Sequence, residues 1–286
     1  MFEPLAPEIA FSHFIQSFST VSLDQAFHAI TLLGHPGIWI FLVAFLYWKG
    51  DEKKSFFLAT VLLFTAATVG ILKNLVMRLR PSAEEFRVLV YESDSIFGFP
   101  SGHATTIGGI FGYYFEKFKK KARLLGLVIV ILVMVSRIYL GVHFLGDVVV
   151  GVLFGFLIGR LIHYFEKRFE KVKLNHEKMM EETGIIAAVL ISIVISLAFR
   201  PLGLAAGFMG YFAGVFAFKL LKHDSRKLEG KQLWIKEIGG FAVLGTLGIA
   251  AEISPFAPEI YFISGAWISL IYPSVYERVL KQSKLK

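Results

Sequence analysis

Residues 123–164 read RLLGLVIVILVMVSRIYLGVHFLGDVVVGVLFGFLIGRLIHY, and they decide the fold. Two apolar runs, at roughly 123–139 and 144–164, are each near the length needed to cross a bilayer. The short break between them carries Arg137, His143 and Asp147. Working outward, further apolar stretches lie at roughly 30–48, 55–73 and 101–117 on one side, and 183–199, 202–220, 235–251 and 259–276 on the other. Several of these are short enough that helix ends must reach into the interface. In 286 residues, 55% are hydrophobic, above the content of an ordinary soluble domain. The spacing predicts an all-α, polytopic integral membrane helical bundle of about nine spans. There is no cysteine, which excludes disulfides and thiolate chemistry.

Charge gives the orientation. Lys49, Lys53, Lys54, the run Lys117 to Arg123, the cations from Lys167 to Lys178, and those from Lys219 to Lys236 and Arg278 to Lys286 thread to one side. The other side holds only Lys73, Arg78, Arg80, Arg87, Arg137 and Arg200. The positive-inside rule makes the first side cytoplasmic and leaves the N-terminus outside. The net charge of +8 therefore reads as membrane orientation rather than nucleic-acid binding. Three segments are expected: 1–25, a retained extracytoplasmic or interfacial stretch with a short amphipathic helix; 26–170, a core of five membrane helices; and 171–286, four more helices with a basic cytoplasmic tail.

The cations on the outer side cluster in three motifs: Lys73 to Pro81 (KNLVMRLRP), Pro100 to His103 (PSGH) and Ser136 to Asp147 (SRIYLGVHFLGD). The topology brings all three to one membrane face. Three cations at the edge of a low-dielectric region are costly unless a multivalent anion neutralises them, and the arginine fork matches phosphate oxygens. Pro100 suits a first helical turn, from which the N–H groups of Ser101, Gly102 and His103 would bind an anion. His143 and Asp147 are four apart and share a helical face if the helix has begun, so the carboxylate can fix the imidazole tautomer.

The pattern K-x6-RP, PSGH and SR-x5-H-x3-D, complete across residues 73–147, resembles the signature of the type-2 phosphatidic acid phosphatase superfamily. That resemblance implies cleavage of a phosphate ester or diphosphate without metal or cofactor, through a phosphohistidine. In that scheme His143 is the nucleophile, Asp147 holds it, and His103 protonates the leaving oxygen. Lys73, Arg80, Ser101, Gly102 and Arg137 bind the phosphoryl oxygens. The partners it implies are a phosphorylated lipid and membrane lipids; the cation asymmetry argues against nucleic acid and places the site on the outer face, and the expected setting is a prokaryotic cytoplasmic membrane. The Glu84 to Phe99 loop is a candidate lid.

Minimal bacterial lipid phosphatases of the superfamily carry the first motif after their third span, whereas here it follows the second. That layout is similar to glucose-6-phosphatase and the sphingosine-1-phosphate phosphatases. Beside a lipid monoester or polyprenyl diphosphate, a sugar phosphate, phosphotransfer to another hydroxyl, and a non-catalytic binder or transporter stay open. Vanadate-dependent haloperoxidases share such a site but are soluble.

Outside the motifs the reading is structural. Arg78 and Arg87 are assigned to lipid headgroups or to Glu84, Glu85, Glu92 and Asp94. His13, His28, His35, His163, His176 and His223 lack metal-like spacing. Gly151, Gly155 and Gly159, like Gly203, Gly207, Gly210 and Gly214, are assigned to internal packing, and Trp39, Trp48, Trp234 and Trp267 to interfacial anchoring. Asn74 and Asn175 are the only asparagines, and this scarcity of amides, with the missing cysteine, hints at a thermophile.

Overall fold

Helix α1, Ala6–Gln16, begins where the Glu8 side chain turns back to accept the Leu5 N–H at 2.8 Å, and Pro7 fits its first turn. The computed structural model describes residues 3–92, 95–171, 202–221 and 229–283. Among them every regular element is helical, with one isolated antiparallel bridge between Leu79 and Phe97. The elements that follow α1 are α2 (Val21–Thr31), α3 (Pro36–Lys49), α4 (Glu52–Val76), α5 (Gly102–Tyr114), α6 (Lys120–Tyr139), α7 (Leu145–Lys171), α8 (Leu202–Leu220), α9 (Gly230–Ile253), α10 (Ala257–Ala266) and α11 (Tyr272–Ser283).

Among the described residues, five helices are long and apolar enough to cross a membrane: Glu52–Val76, Lys120–Tyr139, Leu145–Arg168, Gly203–Leu220 and Gly230–Ile253. The bent pair Val21–Gly34 and Pro36–Lys49 makes a sixth if counted as one span. The chain is an integral membrane protein of helical type. The stretch predicted at 183–199 lies outside the described residues. That at 259–276 is α10 and α11 joined by a π-helical turn, Trp267–Ile271.

The run predicted as a span at 101–117 is shorter than expected. Helix α5 has 13 residues, about 20 Å of rise. The physical reason is burial on every side, since each residue from Ala104 to Tyr113 is buried. A helix enclosed by protein need not match the bilayer.

The chain folds as two compact units. The first comprises Met1–Trp39 and Phe64–Lys167, and the second Ile40–Leu63 and Arg168–Lys286. In the first, Ile107 and Phe111 of α5 pack against Val130 and Val133 of α6, while Phe11 and Ile15 of α1 pack on Ala104, Ile138 and Val148. The N-terminal stretch, expected to lie at the membrane surface, is thus two helices, of which α1 is docked on the core. Helices α5 and α7 meet backbone to backbone. A Cβ placed on Gly155 would stand 2.1 Å from the Thr105 carbonyl, and one on Gly159 the same distance from that of Gly109. Only glycine permits this approach.

In the second unit, the Ser55 hydroxyl donates to the Val43 carbonyl at 2.7 Å and shares a hydrogen bond with the Tyr211 hydroxyl at 2.7 Å. Trp48, expected as an interfacial anchor, is fully buried instead, its indole N–H donating to the Ile268 carbonyl at 2.8 Å.

The α5–α7 contact gives a stability prediction. Gly155→Ala overpacks it and is expected to cost about 1–3 kcal/mol. Gly245→Ala, where a Cβ meets nothing within 4 Å, should leave the thermal midpoint in detergent unchanged or slightly raised. Equal midpoints for the two variants would refute it.

Candidate active site

After α4 ends at Val76, Met77 takes a left-handed conformation, φ 51°, and the chain becomes extended. The Gly98 N–H donates to the Arg78 carbonyl at 2.7 Å, and Leu79 bridges Phe97. In an extended strand alternate side chains share a face. Arg78 and Arg80 therefore point inward together, whereas Leu79 is exposed.

Helix α6 ends at Tyr139, and Gly141, φ 74°, turns the chain where any Cβ would stand 2.3 Å from the Arg87 carbonyl. That turn delivers His143, and α7 begins after it, at Leu145. The two residues do not share one helix, as the spacing had suggested. A cap joins them instead: the Phe144 N–H donates to Asp147 Oδ2 at 2.9 Å, and the Asp147 N–H to the Phe144 carbonyl at 3.1 Å. His143 Nδ1 lies 3.5 Å from Asp147 Oδ2, longer than an ordinary hydrogen bond, and both side chains are fully buried.

Pro100 also sits differently from expectation. It follows a cis peptide bond from Phe99, Ser101 is the cap, and α5 starts at Gly102. The Ser101 N–H, expected to face an anion, donates to the Asp147 carbonyl at 3.0 Å. The first-turn N–H groups from Gly102 onward are those a helix leaves without an intrahelical acceptor. The Ser101 hydroxyl is buried without a hydrogen-bond partner.

The cations converge here. Arg80 donates through Nε to the Ser95 carbonyl at 3.0 Å, through one terminal nitrogen to the Val142 carbonyl and His143 Nε2, each at 3.1 Å, and through the other to Glu92 at 3.1 Å. Arg137, buried, donates to Thr31 Oγ1 at 2.8 Å and also binds Glu92. His103 Nδ1 is 3.8 Å from the same carboxylate, and its ring lies 5.5 Å from that of His35. Lys73 is in the last turn of α4, half-buried. Because arginine only donates, His143 Nε2 accepts, which leaves the ring proton on Nδ1, toward Asp147. Burial first, then the Arg80, Arg137 and Lys73 charges, hold His143 well below the usual imidazole range. It is neutral near pH 7.

Two arginines depart from their predicted surroundings. Arg78 is buried and bridges Asp147 Oδ1, at 3.1 Å, and Glu8, at 2.5 Å, while stacking on Phe144. Its carboxylate partners are thus Asp147 and Glu8 rather than Glu84, Glu85 or Glu92. Arg87 pairs with Asp24 through two hydrogen bonds of 2.8 and 2.6 Å. Arg78, Glu8 and Glu92 are the site residues that sequence reasoning missed. The alternation of Arg78 with Arg80 was the one available signal.

Residues 54–171 match the family model described as PAP2 superfamily, so the resemblance read from the motifs holds over that part of the chain. The chain is 39% identical over 119 residues to phosphatidylglycerophosphatase B of Bacillus subtilis, covering 38% of this chain and 54% of that protein. It is 29% identical over 156 residues to lipid A 4'-phosphatase of Porphyromonas gingivalis, covering 49% and 65% respectively. The chain thus spans less than two thirds of either curated relative. A solved structure of a transmembrane PAP2 type phosphatidylglycerolphosphate phosphatase from Bacillus subtilis is 29% identical, covers 59% of this chain and 87% of its own, and has a TM-score of 0.48.

Arg78 yields a prediction that separates structure from phosphate binding. Burial works to raise the Glu8 pKa, but hydrogen bonds from Arg78 and the Leu5 and Gly146 N–H groups hold it below its usual 4.5. A depressed carboxyl stabilises fully above 4.5 and loses that contribution as pH falls through its folded value. Glu8→Gln should flatten the acid limb of the stability profile below pH 4.5. Arg78→Ala, which strands two carboxylates, should cost about 3–5 kcal/mol. Melting curves from pH 3 to 7 check both, and a wild-type acid limb retained in Glu8→Gln would count against the pairing.

Proposed function

We propose that this chain is a membrane phosphatase that removes a terminal phosphate from a lipid at the extracytoplasmic face. One observation carries the reading: motifs separated by up to 74 residues, from Lys73 to Asp147, deliver cations, two histidines and a carboxylate to one buried cluster. The names of the two relatives, a phosphatidylglycerophosphatase and a lipid A phosphatase, favour a phosphorylated lipid. So does the setting, since Leu75, Met77, Leu79, Tyr91 and Ile96, beside Arg80 and Glu92, are exposed apolar side chains suited to acyl chains.

In this mechanism His143 Nε2 attacks phosphorus, the P–O bond to the lipid breaks, and His103 gives its proton to the leaving oxygen. Asp147 stabilises the imidazolium formed on His143. His103 then takes a proton from water, which attacks the phosphohistidine to release phosphate and restore His143. Arg80, Arg137 and Lys73, with the Ser101 hydroxyl and the Gly102 N–H, hold the phosphoryl oxygens as charge moves in the transition state. No metal or cofactor enters the scheme. The lysine asymmetry supports about nine spans with the N-terminus outside, and the two bacterial relatives favour a prokaryotic cytoplasmic membrane.

Purified protein in EDTA should release phosphate from phosphatidylglycerol phosphate, phosphatidic acid or a prenyl diphosphate, and His143→Ala should lose at least about a thousandfold in rate. Release from glucose phosphate alone would overturn the lipid assignment, and full activity of His143→Ala the mechanism. The pH–rate profile should be bell-shaped, its acid limb below 6.5 from protonation of the depressed His143 and its alkaline limb from loss of the His103 proton. A monotonic profile contradicts the two-histidine scheme.

A further inference from the structure

Glu92 occupies the position that the proposed function gives to the phosphoryl group. One carboxylate oxygen accepts from Arg80 at 3.1 Å. The other accepts from Arg137 and stands 3.8 Å from His103 Nδ1. Arg80 has each of its three nitrogens committed: Nε to Ser95, one terminal nitrogen to Val142 and His143, the other to Glu92. Arg137 likewise has its terminal nitrogens on Thr31 and Glu92. A phosphoryl group that binds between the two arginines takes from Glu92 the terminal nitrogen it holds on each, while Arg137 Nε, buried without a hydrogen-bond partner, is a donor already open to it.

We propose that Glu92 is a specificity-determining residue, a tethered anion that excludes phosphodiester headgroups and yields to a terminal phosphate. This rests on the phosphatase reading of the site. The argument is one of charge. A membrane surface presents phosphodiesters at the depth of this site, each with a single negative charge. Exchanging Glu92 for such a group gains no charge and gives up a ligand whose tether supplies an effective concentration of millimolar or more. A terminal phosphate monoester carries a second charge at neutral pH, which the cluster of Arg80, Arg137 and Lys73 rewards. Removing the carboxylate should strengthen binding of both classes by a similar factor, because a tethered competitor weakens every ligand that must displace it alike, and diesters then bind at the concentrations a membrane surface presents.

The test is binding by the full chain in detergent, by titration calorimetry at pH 8 with inorganic phosphate and with short-chain phosphatidylglycerol, for wild type, Glu92→Gln and Glu92→Asp. Phosphate release from short-chain phosphatidic acid is followed beside it. Wild type should bind phosphate well and the diester poorly. Both dissociation constants should fall by roughly tenfold or more in Glu92→Gln, where the tethered charge is gone, and recover toward wild type in Glu92→Asp. A purely structural role would lower the melting point and tighten neither. Tight diester binding by wild type, dissociation constants that do not fall in Glu92→Gln, or no anion binding by any of the three overturns the proposal. Turnover with dissociation constants that ignore Glu92 sinks this inference and spares the phosphatase reading. Dissociation constants that follow Glu92 in a protein with no turnover do the reverse.

Discussion

Guanidinium groups buried at the ends of apolar helices are the constraint on which the first unit depends. Arg78 and Arg137 are almost inaccessible, and Arg80 nearly so. Each brings a positive charge where desolvation costs several kcal/mol unless a carboxylate answers it. The answers come from distant parts of the chain: Glu8 from α1 and Asp147 from α7 for Arg78, and Glu92 from the loop before α5 for Arg80 and Arg137. Neutralising the cations therefore also fixes where α1, the loop and α7 must lie. Glu8 strengthens that tie by accepting the Gly146 N–H at 2.7 Å, at the very start of α7.

The carboxylates are what sequence alone conveys least. His103, His143, Asp147, Arg80 and Arg137 stand out because their spacing is regular and topology disfavours cations on their side of the membrane. Glu8 and Glu92 carry no such mark. They are 70 and 45 residues from Arg78 and Arg137, and a glutamate in a loop or an amphipathic turn is usually a solvated one. Arg78 was hidden differently. Taken as part of a loose helix end it belongs to the headgroups, whereas the extended backbone after Met77 turns it inward beside Arg80. Backbone conformation at one residue decided its role, and composition does not encode that.

Helix count follows the same logic. Long apolar runs such as α4, α6 and α7 are read directly from length and hydropathy. The short α5 is not, because its boundaries are set by enclosure and by glycines that bring α7 against its backbone. That close approach matters for chemistry. With Gly151 and Gly155 against α5, the Asp147 carbonyl reaches the Ser101 N–H at 3.0 Å, so two motifs 46 residues apart are joined through backbone rather than through mobile side chains. In the second unit the apolar lengths were readable and the contacts were not. Side chains there bind backbone carbonyls, as Trp48 does with Ile268 and Tyr272 with Lys236, and no motif announces such pairs.

The position of Asp147 between Arg78 and His143 resolves a conflict between stability and nucleophilicity. A lone buried carboxylate beside an imidazole would compete for its proton and blur the tautomer. Here Oδ1 is committed to Arg78 and Oδ2 to the Phe144 N–H, which leaves one lone pair of Oδ2 toward Nδ1. The proton then stays on Nδ1 and the lone pair of Nε2 points toward Arg80, where the proposed reaction needs it. In the proposed reaction, a phosphoryl group that draws Arg80 away from Nε2 would release that lone pair at the moment an electrophile arrives. On that reading the pairing that makes buried charge tolerable would also set the direction of attack, and Arg78, which touches no reacting atom, would position the nucleophile.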